Sequence, residues 1–509
     1  MKHCKRVLLT AIAILAMSTV TAQNISFNQG DNGNGKAYLP TLIKIDKADA
    51  DGRYYSVEPD LNAFSKVKGI MVREVDMEYK EYNCVKIENT KGCAIMHAQR
   101  DGMKMNVLIG SFEKKSMIFR LVGIDLNNFT VASDKVVVDL TLDKHTNFYH
   151  WQSSSASGNY YAFVYALVNE KTDRAEVQGL LFNRAMDLQW QRSMPVAANA
   201  DVLVTDDGRI ATCGYSNGEG KTDGASVAFS VTDANGTRQG SAPSVYKLGE
   251  MGLLNCFGDK VLATALETDR GTGWAGSFTG GIAFTTGAVY TGCAVYLFDV
   301  ADGRMANTDR HLFTKEDARV FYNASLISEI TSPDVNFLAM RAKVATPQGG
   351  AALFGRTWYE KVSQTRNGVS TGMSSSTYYY KGMMLLNADS TGSIVWMKPL
   401  MHDNGNNGDF AKNTETDIVA EGNDIYVITN ESPKDGDTYD PDNAVRRVVM
   451  VVHGAISAYR FGADGSVSKR KLATDGINII MTPLRRQAPG VYTFISGQRK
   501  GCVSEITIK

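Results

Sequence analysis

The densest group of potential metal ligands in the chain is the stretch Asp435-Gly436-Asp437-Thr438-Tyr439-Asp440-Pro441-Asp442-Asn443. Four carboxylates, Asp435, Asp437, Asp440 and Asp442, lie close enough in sequence to wrap a hard cation that takes roughly six to eight oxygens. Their spacing departs from an EF-hand loop, because the glycine follows the first Asp and no Glu stands at the twelfth position. A solvated acidic loop is the preferred reading, with calcium as the one candidate metal and no other cofactor expected. Among the seven histidines no two stand four residues apart, so a helical zinc site is not supported. His145 and His150 flank Tyr149 and Trp151, which reads as packing near a sheet edge rather than ligation or base catalysis. Paired carboxylates for sugar hydrolysis leave no linear trace, since their separation is set in space.

A second group is aromatic. Trp274, Phe278, Trp358, Tyr359, Tyr378, Tyr379 and Tyr380 stand amid Ser, Thr, Asn and Gly in long polar stretches. Flat rings beside hydrogen-bonding groups suit a glycan or protein ligand. The competing reading is structural: the same rings would pair across extended hairpins.

Such groups need a scaffold, and the sequence repeats one. An alternating apolar strand, an Asp/Asn/Gly turn and a more polar strand recur as VGIDLNNF from Val122, LFNRAMDLQW from Leu181, FSVTDANG from Phe229, YLFDVADG from Tyr296, MLLNADSTGSIVW from Met384 and YRFGADGSV from Tyr459. Asp, Asn and Gly suit these turns because they bond their own backbone or tolerate positive φ. Another strand pair precedes each hairpin, as in VLVTDDGRIATCGYS from Val202 and DIVAEGNDIYVITNES from Asp417. The unit is therefore four antiparallel strands, the first pair expected to be buried and the last half exposed.

Sheets of this kind with a buried inner edge and a wet outer edge describe the blades of a β-propeller. Six units run over about 93–140, 145–196, 201–247, 252–313, 325–400 and 415–473. Three strands after Ile477 need a fourth, which the copy around Leu42 to Val57 could supply, so seven blades closed by strands from both ends are expected, with six or eight as alternatives. The strand-like stretch Ile70–Glu88 has no place in that scheme. Thr314 to Phe321 is the helical candidate, with Thr314 as its cap.

In this frame the aromatic stretches connect the second and third strands of successive units. They begin at Ser216, Asp269, Gly355 and Asn430, and would all emerge on one face. Long connections in compact domains are more often functional than accidental.

Bulk properties exclude several classes. Lysine plus arginine equals aspartate plus glutamate at 54 each, and the short basic groups Arg446-Arg447 and Lys469-Arg470-Lys471 form no stripe that would attract nucleic acid. Lys2, Lys5 and Arg6, the apolar run Val7 to Met17, and Val20-Thr21-Ala22 before Gln23 have the three parts of a secretory signal peptide. The expected order is a leader over 1–22, a flexible mature start over 23–36 and one propeller domain over 37–509, exported to the periplasm or cell surface. No segment is long and apolar enough for a transmembrane helix. In an oxidising compartment Cys84 and Cys93 could close a hairpin, the alternative being small buried side chains.

No Trp-Asp blade endings, kelch glycine pairs, sialidase Asp-boxes or quinoprotein tryptophan-docking glycines occur. Turns such as GADGSV and ADSTGSIVW resemble the loose Asp-Gly hairpins of uncharacterised exported bacterial propellers, those of Bacteroidota above all. The resemblance implies an architecture and an address, and no activity. The ending PGVYTFISGQRKGCVSEITIK also resembles the last strands of a type IX sorting domain, without the usual Pro-Asn-Pro segment upstream. The function expected is non-catalytic binding or scaffolding of a glycan or envelope protein through the long-loop face. The alternative is a polysaccharide- or peptide-acting hydrolase with its site at the central channel.

Overall fold

The described residues form eight antiparallel blade sheets and a two-stranded pairing of 289–290 with 335–336, and alternation and turn chemistry explain the blades. The computed structural model describes residues 25–29, 44–48, 52–61, 66–113, 115–169, 171, 174–195, 201–219, 223–268, 289–366, 369–407, 416–431, 436–441, 455–473, 479–480, 482–497 and 501–509, with the side chains of 27–29, 44, 174, 357–381, 401–407, 473, 479–480, 497 and 501 outside that description. At the third hairpin of several sheets an aspartate caps the turn with its own carboxylate. Asp125 accepts from the Asn127 N–H, Asp233 from Asn235 and Gly236, Asp299 from Ala301, and Asp389 from Thr391 and Ser393. Gly303 and Gly465 hold the positive φ that these tight reversals require.

Seven sheets are four consecutive strands each: blade 1 over 44–87, blade 2 over 94–141, blade 3 over 146–193, blade 4 over 201–244, blade 5 over 247–312, blade 6 over 338–407 and blade 7 over 416–473. Blade 8 takes strands 479–480 and 485–488, 491–497 and 501–508 from one end of the chain and strand 25–29 from the other. Residues 25–29 run antiparallel to 504–508, with Ile25 opposite Ile508.

Eight blades replace the expected seven. The unplaced stretch after Ile70 supplies strands 67–75 and 81–87, so the copy around Leu42 to Val57 heads a complete blade of its own. The closing strand comes from residues 25–29, within the stretch expected to be a flexible start. Strand 501–508 lies between 25–29 and 491–497, with Cys502 and Val503 fully buried, so the sorting-like ending is built into the last blade.

Burial differs from expectation too. In blade 5 the second and third strands, 260–268 and 292–299, are buried almost throughout, whereas the first strand of blade 3, 146–154, is half-exposed because it faces a channel. The two central strands must be apolar on both faces because each face meets a different neighbour. In blade 5, Val261, Ala263 and Ala265 pack toward blade 4 while Leu262 and Leu266 pack toward blade 6.

The described residues form eight separate apolar cores, one at each junction between neighbouring blades. The last joins Ile45, Tyr54 and Val75 of blade 1 to Ile495 and Val503 of blade 8. That core makes the array a ring. Closure covers the apolar sheet faces that the first and last blades of an open array would present to water.

The helical candidate is confirmed as α1, Lys315–Tyr322. Thr314 and Asp317 form a capping box at its start, and Asn323 ends it in the left-handed region. The helix belongs to the connection between blades 5 and 6. Among the described residues no helix is long and apolar enough to cross a membrane.

Candidate functional site

Antiparallel order places the ends of the second and third strands, from which the four long stretches leave, on one face of the blades. The largest is a continuation of the sheet rather than a loop. In blade 6 the second and third strands run over Gly349–Arg366 and Val369–Asp389, and the fourth over Ile394–Asn407. The first strand stops pairing at Arg356, while the hairpin continues, with register shifts between Gly355 and Arg356 and between Ser363 and Thr365, to Arg366 opposite Val369. Ten more residues per strand project roughly 30 Å as an arm.

Along the arm Trp358 stands directly opposite Tyr379, Tyr359 opposite Tyr378, and Tyr380 opposite Thr357. The register gathers five of the seven predicted aromatic positions on one element, in opposed positions of its two strands. Trp274 and Phe278 lie outside the described residues, as do Asp435 and Asp442. Asp437 and Asp440 are exposed on a short loop that Tyr439 anchors by donating to the Pro399 carbonyl at 2.7 Å. Among the described residues no three His, Cys, Asp or Glu side chains gather as a metal site.

The neck of the arm is braced by the connection that carries α1. The Arg356 guanidinium donates to the carbonyl and side-chain oxygens of Asn336 at 3.1 and 2.9 Å and lies 4.3 Å over the Tyr322 ring. Gly382, at φ +32, lets the helix approach: a Cβ there would meet the Val320 carbonyl oxygen at 1.8 Å.

The helix start is tied to blade 5 by His311, whose Nε2 lies 2.8 Å from Asp317 Oδ2. This hydrogen bond raises the His311 pKa above its ordinary value. Burial works against the Asp317 carboxylate, but bonds from His311 and Thr314 outweigh it and hold its pKa low. A raised histidine pKa contributes stability that is full below about pH 6.5 and fades as pH rises through the folded-state value. His311→Ala is therefore expected to destabilise the protein by up to about 1 kcal/mol near pH 5.5 and by less near pH 8. Thermal midpoints at the two pH values check this, and equal losses would overturn it.

His150 behaves as the packing reading expects. It sits among Phe112, Phe148 and Phe163, and burial lowers its pKa, keeping the ring neutral. Cys84 and Cys93 are free thiols, and Cys93 is buried.

One feature has no linear signature. At the opposite end of the ring, the first strands and the turns that follow them in blades 3 to 8 enclose a channel cavity of about 750 Å³. Its wall includes Leu203, Ala345, Ala420 and Leu484, with the cations Arg209, Lys343 and Arg486 beside them. The residues come from six blades, so only ring closure brings them together. Lys343 contacts Asp201, which lies on the next blade but one. Burial pushes the Lys343 ammonium down from its usual pKa to about 7.

The carboxylates of the inner strands serve as blade-to-blade clamps. Asp201 accepts from the Leu253 N–H at 2.7 Å, Glu250 from Met340 at 2.7 Å, and Asp417 from Leu484 at 2.8 Å. Burial raises the Glu250 pKa to about 7, with the Met340 bond opposing the shift.

No family model matches the chain, and no curated protein matches it. Solved propellers do. The β-propeller domain of the Trilobed protease from Pyrococcus furiosus is 8% identical, with 86% of this chain and 96% of that chain covered and a TM-score of 0.34. Chaetomium thermophilum Sqt1, bound to the N-terminus of ribosomal protein L10, is 10% identical, with coverages of 94% and 100% and a TM-score of 0.38. Prolyl oligopeptidase B from Galerina marginata is 8% identical, with 93% of this chain and 53% of that chain covered and a TM-score of 0.36.

Proposed function

We propose that this chain is an exported, non-catalytic binding propeller that captures a glycan or an envelope protein through its long-connection face. The observation that carries the reading is the arm of blade 6, where Trp358 and Tyr379, and Tyr359 and Tyr378, occupy opposed positions on strands that continue past the blade. An extended sheet places aromatic positions at fixed spacing at little entropic cost, because the backbone is already ordered before a ligand arrives. The leader-like start supports export. The inner-strand carboxylates support binding over hydrolysis, since Asp201, Glu250 and Asp417 each accept from a neighbouring blade's backbone and so act as structural acceptors.

The test is to replace residues 358–379 by an Asn-Gly turn joining Thr357 to Tyr380, which the register already places opposite each other. The thermal midpoint should hold within a few degrees, because the removed pairs lie beyond the blade cores. Retention of purified cell-wall polysaccharide and of envelope proteins on the immobilised chain should fall by about tenfold or more. Equal retention by the shortened and intact chains would sink this function.

A further inference from the structure

The channel cavity lies at the end of the ring away from the arm, and its lining has a definite chemistry. About 750 Å³ is room for a small organic ligand. Leu203, Ala345, Ala420 and Leu484 give it an apolar wall, the two alanines leaving space that larger side chains would fill. Three cations, Arg209, Lys343 and Arg486, line the cavity against two carboxylates, Asp206 and Asp207. Both carboxylates belong to one turn. Asp207 is closed on Arg209, and Asp206 accepts from the Ser157 N–H at 2.8 Å.

Asp201, the carboxylate that contacts Lys343, is not part of the lining, and it also takes the Leu253 N–H. Glu421, which pairs with Arg486, likewise stands outside the lining and is shared with the Gly490 N–H and the Tyr492 hydroxyl. The two ammonium and guanidinium groups therefore present themselves to the cavity more than their partners do. An ammonium carries three donors, and Lys343 directs one of them to Asp201. A half-buried cation in a mostly apolar wall favours an anion that would share its remaining donors and exclude water.

We propose that this cavity binds an amphipathic anion, a molecule with one carboxylate or sulfonate held by Lys343 and an apolar body lying along Leu203, Ala345 and Ala420. Arg486 supplies a second positive charge. The site is independent of the arm: it lies on the other face and shares no residue with it.

The probe is 8-anilinonaphthalene-1-sulfonate, titrated into the intact protein and followed by fluorescence, with decanoate as competitor and uncharged N-phenyl-1-naphthylamine as the control. One saturable site that decanoate empties is expected. Lys343→Met should weaken sulfonate binding by about tenfold or more while changing that of the uncharged probe by less than about twofold. Because Lys343→Met leaves the Asp201 carboxylate without its cation, two further variants guard against loss of folding. Asp201→Asn combined with Lys343→Met keeps the acceptor for Leu253 and should bind as weakly as the single variant. Ala420→Phe fills the cavity without touching the charge pair and should abolish binding of both probes. The chain lacking residues 358–379 should bind the sulfonate like the intact protein. Wild-type affinity in the Lys343 and Ala420 variants, absence of a saturable site, or failure of decanoate to compete would each overturn the proposal.

Discussion

Glu431→Ala is expected to cost about 3–5 kcal/mol of stability, because it strands a buried cation. Glu431 is fully buried at the end of the second strand of blade 7, and Lys469 on the fourth strand reaches it at 2.8 Å with only 4% of its side chain exposed. Ser457 donates to the same carboxylate at 2.8 Å, the Tyr459 hydroxyl donates as well, and the Lys469 ammonium lies 5.2 Å from the Tyr459 ring. Once the carboxylate is gone the ammonium has neither water nor a counter-charge. The discriminating comparison is Glu431→Leu combined with Lys469→Met, which removes both charges and should recover more than half of the loss. Denaturant unfolding of the three proteins checks this. If the double variant is no more stable than Glu431→Ala, the cost comes from lost packing and not from the stranded charge. Blade 5 repeats the device: Glu267 accepts from Tyr296 at 3.0 Å and Arg310 at 2.9 Å. In both blades the tyrosine stands two residues before the core phenylalanine of the third strand, Phe298 or Phe461.

Deleting residues 23–30 should open the ring and cost about 3 kcal/mol or more. The deletion removes the outer strand of blade 8 and with it the pairing from Ile25 opposite Ile508 to Gln29 opposite Ser504. Ile25 is buried against the core shared with blade 7, alongside Val419, Ile428 and Ile506, and its burial alone accounts for about 1.5–3 kcal/mol. What remains is strand 501–508 with an unpaired edge, a template for pairing with another chain. A lower thermal midpoint and concentration-dependent association on size-exclusion chromatography are the expected results. A monomer with an unchanged midpoint would show that closure does not depend on this strand.

Six of the eight blades were legible in the sequence because each carries its own local signals. An alternating strand, an aspartate turn and a second strand need no distant partner to be recognised, and Asp125, Asp233, Asp299 and Asp389 all perform in the structure the capping that their residue type suggests. The helix start at Thr314 was equally local. The blade count stayed open between seven and the alternatives of six or eight for a non-local reason. Which strand completes a sheet depends on pairing between residues 25–29 and 504–508, and five residues of strand carry too little pattern to announce such a partner.

The same division holds for the two candidate sites. That the aromatic stretch after Gly355 lies between a second and a third strand follows from strand order, so its face was determined by the sequence alone. Which residue stands opposite Trp358 was a question of register, and the one-residue shift between Gly355 and Arg356 decided it in favour of Tyr379. The channel cavity was decided wholly by tertiary structure. Leu203, Lys343, Ala420 and Arg486 belong to four separate blades, and nothing in their neighbours along the chain distinguishes them from other strand residues. Local periodicity dictates how each sheet forms; only the closure of eight sheets around one axis dictates which residues face the space between them.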